Sequence, residues 1–150
     1  MDETGRHLLR LLQKDGRMTN VDLARQADLS QTEAFERVRR LQRDGVIEGF
    51  TAILNPVALD RGLLVFVELV LERTNAGVFA DLAEAVRRAP EILECHMVAG
   101  GFDYLIKARV KDMAAYRAFL GGTLAAVPGV RQTHTYAVME EVKSAQGFPV

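Results

Sequence analysis

The chain of 150 residues has one cysteine, Cys95, no tryptophan, and no surplus of either charge: 19 Lys and Arg against 20 Asp and Glu give a formal net charge of −1. A lone cysteine excludes an intrachain disulfide framework and a cysteine cluster for zinc, and it fits a reducing compartment. No apolar run approaches the roughly 18 residues of a membrane span. Charges break up the leucines of the opening MDETGRHLLRLLQKDG, which therefore lacks a signal-peptide core. The sequence predicts a soluble, cytoplasmic protein. Its near-neutral balance, with a pI near 6.3, argues against binding nucleic acid through bulk positive charge. Walker motif, dinucleotide fingerprint, metal cluster and nucleophile-base-acid constellation are all missing, so neither a cofactor nor a catalytic site is expected.

What is present is ordinary globular composition, 49% hydrophobic and 26% charged, arranged in two textures. Thr19 to Gly45, TNVDLARQADLSQTEAFERVRRLQRDG, has the pattern of a helix-turn-helix. In its first helix Asn20 is expected to cap, with Val21, Leu23, Ala24 and Ala27 on one apolar face. The second opens on Ser30-Gln31-Thr32-Glu33, a capping box in which the Ser30 hydroxyl accepts from the Glu33 N–H and the Glu33 carboxylate reaches back. Gly45 closes it. At about 100° per residue Ala34, Val38 and Leu41 form the buried stripe. Thr32, Glu36, Arg39, Arg40 and Arg43 face outward, with Arg37 at the flank.

A solvated helix would also carry such charges. The short preceding helix, the tight turn at Leu29 and four arginines between Arg37 and Arg43 favour a DNA reader. The DNA-binding set is then Ser30, Gln31, Thr32, Glu36, Arg37, Arg39, Arg40 and Arg43. Thr32, Glu36 and Arg40 are placed near base edges, and Arg37, Arg39 or Arg43 on phosphates. Through Gly49 there are nine basic and nine acidic residues, so one head binds weakly and affinity has to come from multiplied heads.

A first helix over 3–14, with Leu8, Leu9 and Leu12 on one face, completes a three-helix unit. Ile47, Phe50 and Ile53 lie in strand-like sequence that suits a wing, and Asn55-Pro56 interrupts it. The expected division is a DNA-binding domain over 1–50, a linker strand over 51–62 and a second domain over 63–150. In the latter, strands at LLVFVELVLER, ILECHMVA, FDYLIKARV and VRQTHTYAVMEE alternate with helices capped by Thr74-Asn75 and by Asp112. That order is βαββαβ, a ferredoxin-like antiparallel sheet with helices on one face, so the fold class is α+β.

The uncovered sheet face would present Leu64, Phe66, Glu68, Val70 and Glu72 beside Asp103, Leu105, Lys107 and Arg109. Glu68 is expected to pair with Lys107 or Arg109. Large apolar groups mixed with self-pairing charge favour contact with a second copy over a solvated face.

Both halves resemble the leucine-responsive (Lrp/AsnC) family of bacterial transcription regulators. The likeness is carried by LQKDGR at 12–17, ERVRRL at 36–41, LNP at 54–56, LLVFVE at 63–68, ECH at 94–96, FDYL at 102–105, PGV at 128–130 and VMEEVK at 138–143. It implies a winged helix-turn-helix joined to a RAM-type effector domain that dimerises and stacks into octamers or related rings. It also implies regulation of amino-acid metabolism through an amino-acid effector, leucine or another such as proline, bound between effector-domain dimers. Carried over by position, the effector site comprises Met97, Gly100, Phe102, Asp103, Tyr104, Met113, Tyr136, Ala137 and Val138. Gly100-Gly101 would free backbone N–H groups for a carboxylate, Asp103 would hold the ammonium, and Met97 and Met113 would fit an aliphatic side chain. A tight hairpin turn with core methionines is the plainer account of the same residues. Gln31 and Glu33 depart from the family pattern, standing where prolines open the recognition helix.

Two rivals use the same architecture. One is a tetrapyrrole decarboxylase-like enzyme in which His96 and His134 act as catalytic or haem-contacting groups. The other is an amino-acid sensor subunit, which leaves the helix-turn-helix without a task.

Overall fold

The computed structural model describes residues 1–144 and 147–150, and the chain divides into two compact units. The first contains Met1–Ile53 and Val142–Val150, the second Leu54–Glu141. The tail from Val142 thus joins the first unit, whereas the sequence pattern assigned it to the second. Among the described residues no helix is long and apolar enough to cross a membrane.

Three helices build the first unit: α1 (Glu3–Lys14), α2 (Asn20–Gln26) and α3 (Gln31–Arg43). Leu8, Leu9, Leu23, Ala24 and Ala34 are buried between them. Thr19, not Asn20, caps α2: its hydroxyl accepts from the Asp22 N–H at 3.1 Å and donates to the Asp22 carboxylate at 2.7 Å. Asn20 instead donates its amide to the Gln31 carbonyl at 2.8 Å, which ties the start of α2 to the start of α3. Asp28 takes up the left-handed φ of 55° that the tight turn demands, a conformation that a short Asp side chain tolerates. Ser30 caps α3 through the Glu33 N–H, but the Glu33 carboxylate turns to Arg37, so half of the expected capping box forms. Gly45 ends α3 with φ +71°. Residues 46–62 contain no paired strand. Val46 and Ile47 donate backbone N–H groups to Leu41, and Asn55 Oδ1 accepts from Val57 and Ala58 to start the turn at Pro56.

The second unit is β1 (Leu63–Leu71), α4 (Ala76–Arg88), β2 (Ile92–Met97), β3 (Tyr104–Val110), α5 (Met113–Phe119) and β4 (Val130–Ala137), with a π turn over Leu120–Leu124 extending α5. The sheet is antiparallel in the order β2-β3-β1-β4. Alternation in β1 and β3 aims Val65, Val67, Leu69, Tyr104, Ile106, Ala108 and Val110 at the helices, where Leu82, Tyr116, Phe119 and Leu124 close the core. Full burial of a side chain such as Leu69 contributes about 1.5–3 kcal/mol. Asn75 and Asp112 cap α4 and α5 through the N–H groups of Val78 and Ala115. Met113 sits in the first turn of α5 and is exposed, which does not fit the account of it as a core methionine.

Candidate functional sites

On α3 the outward side chains of Thr32, Glu36, Arg39, Arg40 and Arg43 are exposed, as are Ser30 and Gln31. Glu33, Glu36, Arg37, Arg39, Arg40 and Arg43 line an open groove of about 740 Å³. The arginines are not equivalent. Arg39 and Arg40 have no carboxylate within ion-pair distance among the described residues, and Arg43 pairs with Asp44 at 3.1 Å in full view of solvent. Arg37 is different: its Nη1 donates to Asp2 at 2.8 Å and its Nε to Glu33 at 3.0 Å. These contacts hold the Asp2 carboxyl below its ordinary range and raise the Arg37 guanidinium. Asp2 carries no motif that singles it out in the sequence. Its one signal is an Asp directly before a helix.

The sheet register overturns the expected pairing of Glu68. Leu105 stands opposite Glu68 on β3 and His134 on β4, while Lys107 lies opposite Phe66 and Arg109 opposite Leu64. Glu68 accepts from the Tyr136 hydroxyl at 3.2 Å and lies 3.6 Å from His134 Nδ1. Lys107 pairs with Glu94 at 2.8 Å and Arg109 with both oxygens of Glu141 at 2.7 and 2.8 Å. Arg109 Nη1 is buried without a hydrogen-bond partner among the described residues. On this helix-free face Glu68, Lys107 and Arg109 thus have partners within the chain; Phe66 and Val70 are half-buried, while Leu64, expected to be presented there, is buried.

His96 and His134 share that face but lie on its two edge strands. Three strand intervals of roughly 4.8 Å put their backbones about 14 Å apart. They form no pair within one chain.

The nine effector candidates fall into two groups. Met97, Gly100, Phe102, Asp103 and Tyr104 surround the β2–β3 connection, where Tyr104 is opposite Leu69. Met113 follows β3, whose Val110 is opposite Leu63, and Tyr136, Ala137 and Val138 end β4 beside Leu64 and Val65. Leu69 and Val65 are four residues apart on β1, which at about 3.4 Å per residue puts the groups some 13 Å apart at opposite ends of the sheet.

Individual side chains also differ from expectation. Tyr104 is buried on the helix side, edge-on to Phe79 with ring centroids 6.2 Å apart, and burial raises its phenol. One Asp103 oxygen is committed to the Leu71 N–H at 2.7 Å. Neither Gly100 nor Gly101 has a positive φ, and a Cβ on either meets nothing within 4 Å, so the chain's own packing does not require glycine there. Met97 is exposed on the helix side of edge strand β2, while Tyr136 projects from the other face. Half-buried Cys95 has its thiol pushed up by burial. Among the described residues no cluster of three His, Cys, Asp or Glu side chains is placed to hold a metal.

Comparison with known proteins joins these two units to one pattern. Residues 1–48 match the winged helix-turn-helix DNA-binding model, and residues 64–148 match the Lrp/AsnC ligand binding domain. The chain is 54% identical over 145 residues to the leucine-responsive regulatory protein of Escherichia coli strain K12, covering 97% of this chain and 88% of that one. Among solved structures it is similar to a transcriptional regulator in complex with L-Met from Neisseria meningitidis, with 32% identity, a TM-score of 0.95 and coverage of 99% and 96%. It is equally similar to an AsnC family transcriptional regulator from Agrobacterium tumefaciens, with 32% identity, a TM-score of 0.95 and coverage of 99% and 97%.

Proposed function

The chain belongs to the Lrp/AsnC family and is a DNA-binding transcriptional regulator with an amino-acid-binding domain, not an enzyme, and we propose that it works as an oligomer whose effector is an aliphatic amino acid held between two copies. The observation that carries this reading is the division of the nine effector candidates between opposite ends of one sheet. A free amino acid cannot touch both groups in one chain. A site shared between copies, with the β2–β3 connection of one against the β4 end of another, brings them together. Gly100 and Gly101, unconstrained by their own chain, then serve close approach of the effector carboxylate to backbone N–H groups. Met97 and Met113, both exposed, supply adaptable apolar contact to the aliphatic side chain.

Leucine is the first candidate, from the name of the relative at 54% identity, and methionine the second, from the L-Met complex. The genes under control are those of amino-acid metabolism. The sheet face around the half-buried Phe66 and Val70 is the dimer contact. Multiplied heads offset the neutral charge of each, because after the first contact later ones are intramolecular. The effector acts by binding one assembly more tightly than another, and only to the extent of that difference.

Sedimentation of the purified protein with leucine, methionine, proline or no addition, alongside binding to DNA upstream of its own gene, tests this reading. A large oligomer whose size or DNA affinity responds to leucine or methionine is the expected result. A DNA-binding protein indifferent to every amino acid would remove the effector, and a monomer would remove the shared site.

A further inference from the structure

We propose that Arg37 is a positioning residue, which sets the recognition helix α3 through Asp2 and does not contact DNA phosphate. The inference rests on the DNA-binding reading of this unit and assigns a division of labour among its arginines.

The Asp2 carboxylate has two tasks. Its Oδ1 accepts from the Gly5 N–H at 2.8 Å and so caps α1, while its Oδ2 accepts from Arg37 Nη1 at 2.8 Å. Gly5 leaves room for this: a Cβ there would sit 3.0 Å from Asp2 Oδ1 and 3.1 Å from Met1 Cγ. One carboxylate thus joins the first turn of α1 to the middle of α3. On the other side Arg37 Nε donates to Glu33, one turn earlier on the same helix.

The cluster Glu33–Arg37–Asp2 holds two negative charges against one positive, so its sum repels a phosphate. Its geometry agrees with that sum. The Arg37 side chain is 23% exposed, against 73% for Arg43, and two of its nitrogens, Nη1 and Nε, already donate to carboxylates. Arg39, Arg40 and Arg43 remain for DNA. Because the orientation of a recognition helix decides which side chains reach base edges, a tie from α1 to the middle of α3 governs recognition without touching the duplex.

A competing account has Asp2 masking a phosphate-binding Arg37 until DNA displaces it. The two accounts differ in sign. Asn keeps the helix cap but loses the charge, so Asp2→Asn weakens DNA binding if Arg37 is a clamp and tightens it if Arg37 is masked.

Binding of the full-length protein to DNA upstream of its own gene is measured by fluorescence anisotropy across a salt series. The variants are Asp2→Asn, Arg37→Gln, Arg37→Lys, the Asp2→Asn/Arg37→Gln double variant and Arg39→Ala, with thermal unfolding confirming that each folds. We expect Asp2→Asn and Arg37→Gln each to weaken binding by about two- to fivefold per head, the scale of an exposed ion pair. The double variant should be no worse than either single. Arg37→Lys, which keeps the charge but not the two-sided fork, should fail to rescue. None of these should change the slope of log K against log salt, whereas Arg39→Ala, at an exposed arginine assigned to phosphate, should reduce it by about 0.9 per contacting head. Tighter binding by Asp2→Asn, or a reduced slope in Arg37→Gln restored by Arg37→Lys, would overturn the proposal. Wild-type protein that binds no DNA would overturn the DNA-binding reading itself, and the proposal with it.

Discussion

The hydroxyl of Tyr136 donates to Glu68 Oε1 at 3.2 Å across the β1–β4 pair, one diagonal step from the His134 that stands directly opposite Glu68. The contact stabilises the neutral phenol, and the Tyr136 pKa is raised, first by this hydrogen bond and then by the carboxylate charge. A raised folded-state value stabilises the fold below the ordinary tyrosine range near pH 10 and ceases to do so as pH rises through the folded value. Spectrophotometric titration, with Tyr136→Phe as the reference, should show Tyr136 ionising late, and Glu68→Gln should bring its titration down. Identical curves for wild type and Glu68→Gln would mean that the contact does not form in solution.

Glu68 is also the most sensitive point of the proposed sheet-face contact. Glu68→Arg removes the acceptor of Tyr136 and places a cation beside His134, and a two-fold contact then sets like charges against each other. Sedimentation should show a smaller species, and light scattering a monomer mass. Retention of the wild-type oligomer would exclude this face from the interface.

A site assembled from two copies permits complementation. Met97→Asp should disable the β2–β3 end and Met113→Asp the β4 end, each abolishing the effector response by putting charge where an aliphatic side chain is held. Coexpressing and mixing the two variants should restore roughly a quarter of the sites by random pairing of copies, read as recovered binding of radiolabelled leucine. No recovery in verified mixed oligomers would place the whole effector site within one chain.

Two glycines should respond in opposite ways to alanine. Gly129 has φ +78°, and a Cβ there would lie 2.7 Å from Val78 Cγ1, so Gly129→Ala incurs both backbone strain and a clash with α4. Chemical denaturation should show a loss of about 1–3 kcal/mol. At Gly121, in the π turn after α5, an added Cβ would meet nothing within 4 Å. Gly121→Ala should be neutral or gain about 0.5–1 kcal/mol by reducing the freedom of the unfolded chain. Equal losses at both positions would refute the steric account.

Most of the architecture was readable from short-range pattern. Alternation in LLVFVELVL and YLIKARV, helical spacing in the first unit, and caps at Ser30, Asn75 and Asp112 act over two to four residues, so sequence order alone displays them. The same pattern named the outward residues of α3. Thr19 was also within reach, because Thr-Asn-Val-Asp has the spacing of a cap, but Asn20 is an equally good capping type one place later.

Long-range pairing was not readable in this way. The choice of Leu105 over Lys107 or Arg109 opposite Glu68 depends on strand register, where every two-residue shift keeps the same face and no local signal separates the alternatives. The meeting of Asp2 with Arg37 spans 35 positions and depends on how helices pack. The sequence by itself determined the two units, the alternating faces of the strands and the family, because periodicity, caps and ordered motifs are properties of neighbouring residues. Only the tertiary structure decided that Arg37 is tied to Asp2, that the histidines stand on opposite edges, and that the effector candidates divide between the two ends of the sheet, because those relations are set by register, strand order and helix packing.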